Sequence, residues 1–211
     1  MLAVFVRLLP VASQGTYVPT LYNTSNGLPQ QTINATIQDK QGYMWFATSN
    51  GFSRFDGEKF TNYNLEDSDS LGLGNNLITA LREDSHRYIW LTNDNRVTFR
   101  FNPYTRQFLE LPDSLGQVEA VQLIPNGDIW LYLEKRKLIR AYYDEEEDLH
   151  YESVLCYPPN DTTKIVMISN DREGRVWILT SKELLDYDHE NKKLTKHPLG
   201  TDARYFSMRS V

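Results

Sequence analysis

The segment QDKQGYMWFATSNGFSRFDG, Gln38 to Gly57, decides the fold. It places Asp39, Gly42 and Trp45 at intervals of three residues, followed by a second glycine and an aromatic residue with an aspartate after it. An aspartate at the end of a strand accepts hydrogen bonds from nearby backbone N–H groups, and a glycine adopts a positive φ at no steric cost. The spacing therefore predicts a tight hairpin that leads into a strand carrying Trp45.

The same arrangement recurs around each of the four tryptophans, which stand 45, 40 and 47 residues apart. A period of this length is typical of propellers and other repeat arrays. The exceptions are Ile124 in place of the aspartate of the third repeat and Arg87 in place of the glycine of the second. Because equivalent turns cannot give two carboxylates different pKa values, we assign these residues a structural and not a catalytic role. The motif residues are Asp39, Gly42, Trp45, Asp84, Trp90, Gly127, Trp130, Asp171, Gly174 and Trp177.

Each repeat reads as four short strands separated by turn residues. The tryptophan strand is apolar at successive positions, which indicates that both of its faces are covered. Four-stranded antiparallel sheets packed face to face around an axis satisfy this requirement, so the sequence predicts an all-β chain that forms a β-propeller with about four blades. The blades are expected at 28–64, 71–112, 118–155 and 163–199.

Residues 27–63, GLPQQTINATIQDKQGYMWFATSNGFSRFDGEKFTNY, resemble the two-component regulator propeller repeat. The segment departs from that pattern at Ala47, where the family usually has glycine, and the third repeat also lacks the threonine. The resemblance extends over 16–211 and implies part of a seven-bladed propeller; a natural four-bladed ring is the alternative. It further implies the extracytoplasmic, periplasmic sensor region of a membrane receptor. Many such receptors are hybrid two-component sensor histidine kinases of gut Bacteroidetes that detect glycan fragments.

The two ends of the sequence indicate a partial propeller over 16–211. Residues 16–22 resemble the outer strand of a blade that is missing, and 203–211 resemble the start of a further blade. Residues 1–15 read either as the remnant of a signal peptide or as the start of the mature protein. The expected partners are the remaining blades and signalling domains of the parent chain, with self-association through uncovered blade faces.

Composition excludes several classes of function. The net charge is −6 and no block of Lys or Arg stands out, so we expect no nucleic-acid partner. Cys156 is the only cysteine and the four histidines lack metal-ligand spacing, so we expect no metal and no cofactor. No run approaches about 18 uninterrupted apolar residues, so no membrane span is expected in this chain.

Candidate ligand-binding residues lie in the loops at one end of the predicted propeller. The turns between second and third strands share this end with the links between blades, and they carry amides and cations that suit hydroxyl-bearing or acidic sugars. Ordinary turns prefer many of the same residues, which leaves turn chemistry as the alternative explanation. The candidates are Asn50, Asn95, Arg96, Lys135, Arg136 and Lys182.

The sequence leaves three functions open. The first is a non-catalytic sensor module, in which any histidine kinase activity belongs to parts of the parent protein outside this chain. The second is a propeller enzyme of the lyase or glycosidase type, which would need non-repeated catalytic residues that converge at the axis. The third is a scaffold with a protein-binding rim.

Overall fold

The computed structural model of the chain describes residues 20–63, 77–109, 111–125, 127–134, 136–171, 175–189 and 191–198. Within these residues the strands form four sheets, and each sheet is antiparallel with its four strands in sequence order. This confirms the predicted all-β propeller architecture with four-stranded blades. Short 3₁₀ turns at Thr24–Asn26 and Asp113–Leu115 lie outside the sheets.

The four sheets lie within the four repeats and are called blades 1 to 4. Blade 1 contains β1 (Ile33–Gln38), β2 (Met44–Thr48), β3 (Gly51–Phe55) and β4 (Phe60–Tyr63). Blade 2 contains β5 (Ile78–Glu83), β6 (Ile89–Asn93), β7 (Thr98–Asn102) and β8 (Gln107–Leu109). Blade 3 contains β9 (Ala120–Leu123), β10 (Ile129–Leu133), β11 (Lys137–Tyr143) and β12 (Leu149–Cys156). Blade 4 contains β13 (Ile165–Asn170), β14 (Val176–Thr180), β15 (Glu183–Asp188) and β16 (Lys193–Pro198).

The first strand of each repeat is the innermost. Asn34 of β1 donates its side-chain amide to the carbonyl of Ile78 in β5 at 2.8 Å, which joins the inner strands of blades 1 and 2. Strands β5, β9 and β13 line one central cavity. The residues that face this cavity therefore come from segments far apart in sequence.

Three hydrophobic cores lie between successive blades in the described part of the chain. In each core the tryptophan of one blade packs with the two aliphatic residues that flank the tryptophan of the next blade. Burying one indole in this way contributes on the order of 4–5 kcal/mol. The groups are Trp45 with Ile89 and Leu91, Trp90 with Ile129 and Leu131, and Trp130 with Val176 and Ile178.

This packing explains why the tryptophan strands are apolar at successive positions. In β6, Trp90 faces blade 3 while its neighbours Ile89 and Leu91 face blade 1. Both faces of the blade are covered, so no position in the middle of the strand meets water.

The aspartate of the repeat closes its turn and also binds the tryptophan. Asp39 Oδ1 accepts the backbone N–H groups of Gln41 and Tyr43, both at 2.9 Å. Its other oxygen, Oδ2, accepts the indole N–H of Trp45 at 2.7 Å. Sequence reasoning anticipated the turn but not the bond to the indole. Equivalent indole bonds join Asp84 to Trp90 and Asp171 to Trp177, each at 2.9 Å.

The glycine of the repeat occupies the position in the same turn at which the backbone has a positive φ. Gly42 has φ 92° and Gly127 has φ 94°. Arg87 occupies the equivalent position in the second repeat and has φ 66°, a backbone conformation that residues other than glycine rarely adopt. The backbone requirement is therefore met even where the residue type departs from the repeat.

Some predicted features lie outside the described residues, namely 1–15, 203–211, Lys135 and Gly174. Of the segment 16–22, which was predicted to be an outer strand, the structure describes the last three residues, and these are not in a strand. The ring of Tyr22 instead lies 4.8 Å from that of Phe55, on the face of blade 1 that points away from blade 2. The irregular path follows from Asn23, whose side chain accepts the N–H of Ser25 and starts a 3₁₀ turn.

Candidate functional site: an axial cavity

A cavity of about 720 Å³ lies between the inner strands of blades 2, 3 and 4. Its volume falls within the range of about 300–1,000 Å³ that is usual for small-molecule sites. Strands β5, β9 and β13 form its wall, and the turn between β6 and β7 reaches into it. We call this space the axial cavity; its lining residues include Thr79, Arg82, Thr92, Asn93, Asp94, Arg96, Glu119, Gln122, Tyr132, Val166 and Met167.

The turn between β6 and β7 is held by a buried amide. Asn93 Oδ1 accepts the backbone N–H of Val97 at 2.9 Å, and the N–H of Arg96 donates to the carbonyl of Asn93 at 3.1 Å. Arg96 itself has φ 59°. These bonds fix a turn whose exposed side chains, Asp94 and Arg96, lie at the cavity.

Blades 1 and 4 use a threonine for the same turn. Thr48 Oγ accepts the N–H of Asn50 at 3.1 Å and donates to the carbonyl of Gly51 at 3.0 Å. Thr180 accepts the N–H of Glu183 at 2.9 Å in the same way. The threonine of the repeat is therefore a turn-capping residue, and Asn93 replaces it in blade 2.

The positive and negative side chains at the axial cavity are equal in number. Arg82 and Arg96 bring two positive charges, and Asp94 and Glu119 bring two negative charges. Arg82 donates one guanidinium N–H to the carbonyl of Leu81 at 2.7 Å. A site with this balance favours a polar ligand of low net charge over a polyanion or polycation.

Tyr132 adds a neutral hydroxyl to the wall. Burial raises the pKa of its phenol well above the usual value, and a hydrogen bond from the backbone of Ile168 opposes this only in part. The phenol therefore stays protonated throughout the physiological range. Next to it, Val166 and Met167 of β13 provide an apolar surface, and Val166 is 59% exposed.

The arrangement suits hydrogen bonding to several hydroxyl groups at once. Guanidinium groups donate, carboxylates accept, and the hydroxyl groups of Thr92 and Tyr132 can do both. The hydroxyl of Thr79 donates to the carbonyl of Thr92 at 3.0 Å and is left as an acceptor. A ligand ring with an apolar C–H face can lie against the apolar side chains of β13. The described residues hold no group of three or more His, Cys, Asp or Glu placed to hold a metal ion.

The structure separates the sequence-predicted site residues. Arg96 lies at the axial cavity, whereas Asn50 lies in the corresponding turn of blade 1, away from the cavity lining. Asn95 presents its carbonyl to the side chain of Gln117 at 3.3 Å. Arg136 lines a different pocket.

Lys182 is already paired. Its ammonium lies 2.8 Å from Asp161 Oδ1 in the link between blades 3 and 4. This contact, followed by hydrogen bonds from Thr163, lowers the pKa of Asp161. Lys182 therefore serves to close the link and is not grouped with Arg96.

Several residues of the axial cavity were missed from sequence because they lie on strands and not in loops. Glu119 and Gln122 belong to or adjoin β9, and Thr79 belongs to β5. The available signal was that a polar residue, Thr79 or Arg82, directly follows each buried aliphatic residue on this inner strand. In the described ranges, no helix has both the length and the apolar character needed to cross a membrane.

Comparison with known proteins gives one family match and a set of similar folds. Residues 27–50 match the family model described as two component regulator propeller. No curated protein matches the sequence.

Two crystal structures of the extracellular domain of BT4673 from B. thetaiotaomicron share the fold. One, described as a hybrid two component system, is 15% identical with a TM-score of 0.50 and covers 81% of this chain and 30% of that chain. The other, described as a one component system, is 16% identical with a TM-score of 0.53 and covers 78% of this chain and 22% of that chain. The present chain thus spans less than a third of the length of these solved chains.

Proposed function

We propose that the chain is an extracytoplasmic ligand-sensing part of a two-component receptor, whose kinase would lie in other parts of the parent protein. The family match at residues 27–50 and the propeller fold support this assignment. The ligand we propose is a glycan fragment that binds in the axial cavity. The remaining blades and the signalling domains of the parent chain would be its covalent partners.

The observation that carries the proposal is the composition of the axial cavity. Blades 2 and 3 bring guanidinium, carboxylate and hydroxyl groups to one space of about 720 Å³, and β13 of blade 4 adds an apolar strip. Neutral sugars present hydroxyl groups around a ring with apolar C–H faces, so both parts of the cavity have a counterpart in such a ligand. A non-catalytic role agrees with this arrangement because sensing requires only binding.

The proposal is tested by the change in melting temperature with a panel of neutral oligosaccharides of two to six units. A ligand at about 100 times its Kd stabilises the folded state by about 2.7 kcal/mol, which shifts Tm by several degrees. Glu119→Gln and Arg96→Gln should reduce the shift, while Lys59→Gln in the exposed β3–β4 turn should leave it unchanged. A shift that survives both cavity substitutions would place the ligand elsewhere, and no shift with any oligosaccharide would count against a glycan sensor.

A further inference from the structure

A second cavity, of about 320 Å³, lies beside blade 3 and shares no lining residue with the axial cavity. The turn between β10 and β11 forms one side, and the start of the link from blade 3 to blade 4 forms the other. Leu115 and Gln117, from the link between blades 2 and 3, complete the wall. We call this space the rim pocket; the rest of its lining is Leu133, Glu134, Arg136, Lys137, Cys156, Tyr157, Pro158 and Pro159.

The rim pocket carries a positive charge on a chain whose net charge is −6. Its described lining contains one carboxylate, Glu134, and two cations, Arg136 and Lys137. Glu134 Oε2 accepts from Nε of Arg136 at 2.8 Å, so these two charges compensate each other. Within the described chain no carboxylate lies at ion-pair distance from Lys137, which leaves its charge uncompensated.

The position of Lys137 keeps its charge at the pocket. Lys137 is partly buried at the start of β11, and its partner in register on β12 is Cys156, which bears no carboxylate. A partly buried ammonium loses hydration and gains more from an anionic partner than a fully exposed one does. The pocket therefore offers a cation that a bound anion could neutralise.

The opposite wall of the rim pocket is rigid and largely apolar. Tyr157 is fixed by its N–H, which donates to the carbonyl of Arg136 at 3.0 Å, and by its hydroxyl, which donates to Glu183 at 3.1 Å. Burial, followed by the bond to Glu183, raises the pKa of Tyr157 to about 12, so the phenol remains a donor. Pro158 and Pro159 follow directly and carry no N–H group.

We propose that the rim pocket binds an anionic sugar, with Lys137 and Arg136 contacting a carboxylate or sulfate group and Tyr157, Pro158 and Pro159 contacting the ring. The uncompensated ammonium of Lys137 favours a ligand that carries a negative charge. The apolar wall favours a ligand that has a C–H face. The inference does not depend on the axial cavity, whose balanced charges favour a neutral ligand.

The experiment uses the single cysteine of the chain as a reporter. Cys156 is exposed, free and part of the pocket wall, so a maleimide labels the protein at this position alone. The rate of labelling is measured with a glucuronate-bearing disaccharide, a sulfated disaccharide without carboxylate, and a neutral disaccharide of the same size. At about ten times its Kd a bound sugar lowers the free fraction, and hence the labelling rate, about tenfold.

We expect protection by an anionic disaccharide that weakens as salt is raised, and none by the neutral one. Lys137→Gln should weaken protection about three- to tenfold, as expected for loss of one charge-assisted contact, while Lys193→Gln on exposed β16 should not. Protection by the glucuronate or by the sulfated sugar supports the proposal and identifies the anionic group.

Equal protection by the neutral sugar, protection by none of the three, or full protection in Lys137→Gln would overturn the proposal. Folding of each variant is checked by its circular dichroism and melting temperature, and Arg136→Gln provides a second substitution. Glu119→Gln should leave protection of Cys156 unchanged, because Glu119 lines only the axial cavity. Failure of the rim-pocket proposal and failure of the proposed axial site therefore give different results.

Discussion

At the scale of single residues, the decisive contact is the bond between an aspartate and the indole six residues later. It satisfies a donor that is buried between two blades, and a buried N–H without a partner costs about 1–3 kcal/mol. The third repeat has Ile124 at the aspartate position, and Nε1 of buried Trp130 has no hydrogen-bond partner among the described residues. The turn still closes, because Gly127 donates to the carbonyl of Ile124 at 3.0 Å.

Ile124→Asn should therefore change the free energy of unfolding by no more than about 1 kcal/mol, because the new acceptor for the indole offsets the lost apolar burial. Urea denaturation followed by tryptophan fluorescence measures this change. The matched control is Ile168→Asn in the same core, where the two isoleucines are 5% and 4% exposed. Ile168→Asn should cost about 3 kcal/mol or more because it replaces a buried aliphatic side chain with a polar amide inside the core. Equal losses in the two variants would refute a role for the missing carboxylate.

At the scale of elements, the boundary between blades 3 and 4 holds a buried cluster of charges. Asp128 lies 2.9 Å from Nε of Arg140 on β11 and 3.2 Å from Nδ1 of His189, which follows β15. Arg140 also contacts Glu152 of β12 at 3.3 Å. The cluster joins the two blades next to the rings of Trp130 and Tyr187.

This cluster should make the boundary sensitive to acid. Burial lowers the pKa of His189 below its usual value of 6.5, Arg140 lowers it further, and Asp128 opposes both effects. The folded state therefore favours the neutral imidazole, and its contribution to stability is present above about pH 6.5 and is lost as the pH falls below that value. Melting temperatures measured between pH 7.5 and 5 should decline more steeply in the wild type than in His189→Gln.

The control for this prediction removes a histidine elsewhere. His150, in the exposed hairpin of blade 3, pairs with Asp144 and lies outside the cluster. His150→Gln should therefore retain the acid sensitivity that His189→Gln removes. Parallel pH profiles for the wild type and His189→Gln would contradict the assignment.

The division into blades could be predicted from sequence, because the tryptophans recur at a regular spacing and each lies on a strand that is apolar on both faces. The axial cavity could not, because Glu119 and Thr79 meet there only through the curvature that brings inner strands together. Lys182 was expected to bind ligand, but its partner Asp161 lies 21 residues away in sequence. Contacts of this kind depend on the path of a link and leave no local pattern.

At the scale of the whole molecule, the tryptophans of blades 1 to 3 point toward the following blade. Trp45, Trp90 and Trp130 are at most 1% exposed because the next blade covers them. Trp177 faces away from blade 3 and is only partly buried, with Leu179 and Leu184 on the same face. Among the described blades, three tryptophan faces are thus covered and that of blade 4 is open.

Trp177 should accordingly supply most of the fluorescence that acrylamide quenches. Trp177→Phe should remove the quenchable component and shift the remaining emission to shorter wavelength. Trp45→Phe is the matched control, since Trp45 is fully buried and its loss should leave the quenchable component in place. Equal quenching in both variants would mean that the face of blade 4 is covered in solution.

The uniform direction of the indoles also sets an order for folding during synthesis. A repeat that has just left the ribosome can pair its own strands, but its indole stays uncovered until the 40 to 47 residues of the following repeat have emerged. In blades 1 to 3 the tryptophan face is therefore covered by the following blade and not by the preceding one. Packing of the blades against one another therefore proceeds from the N-terminus toward the C-terminus during translation, one blade behind the growing end of the chain.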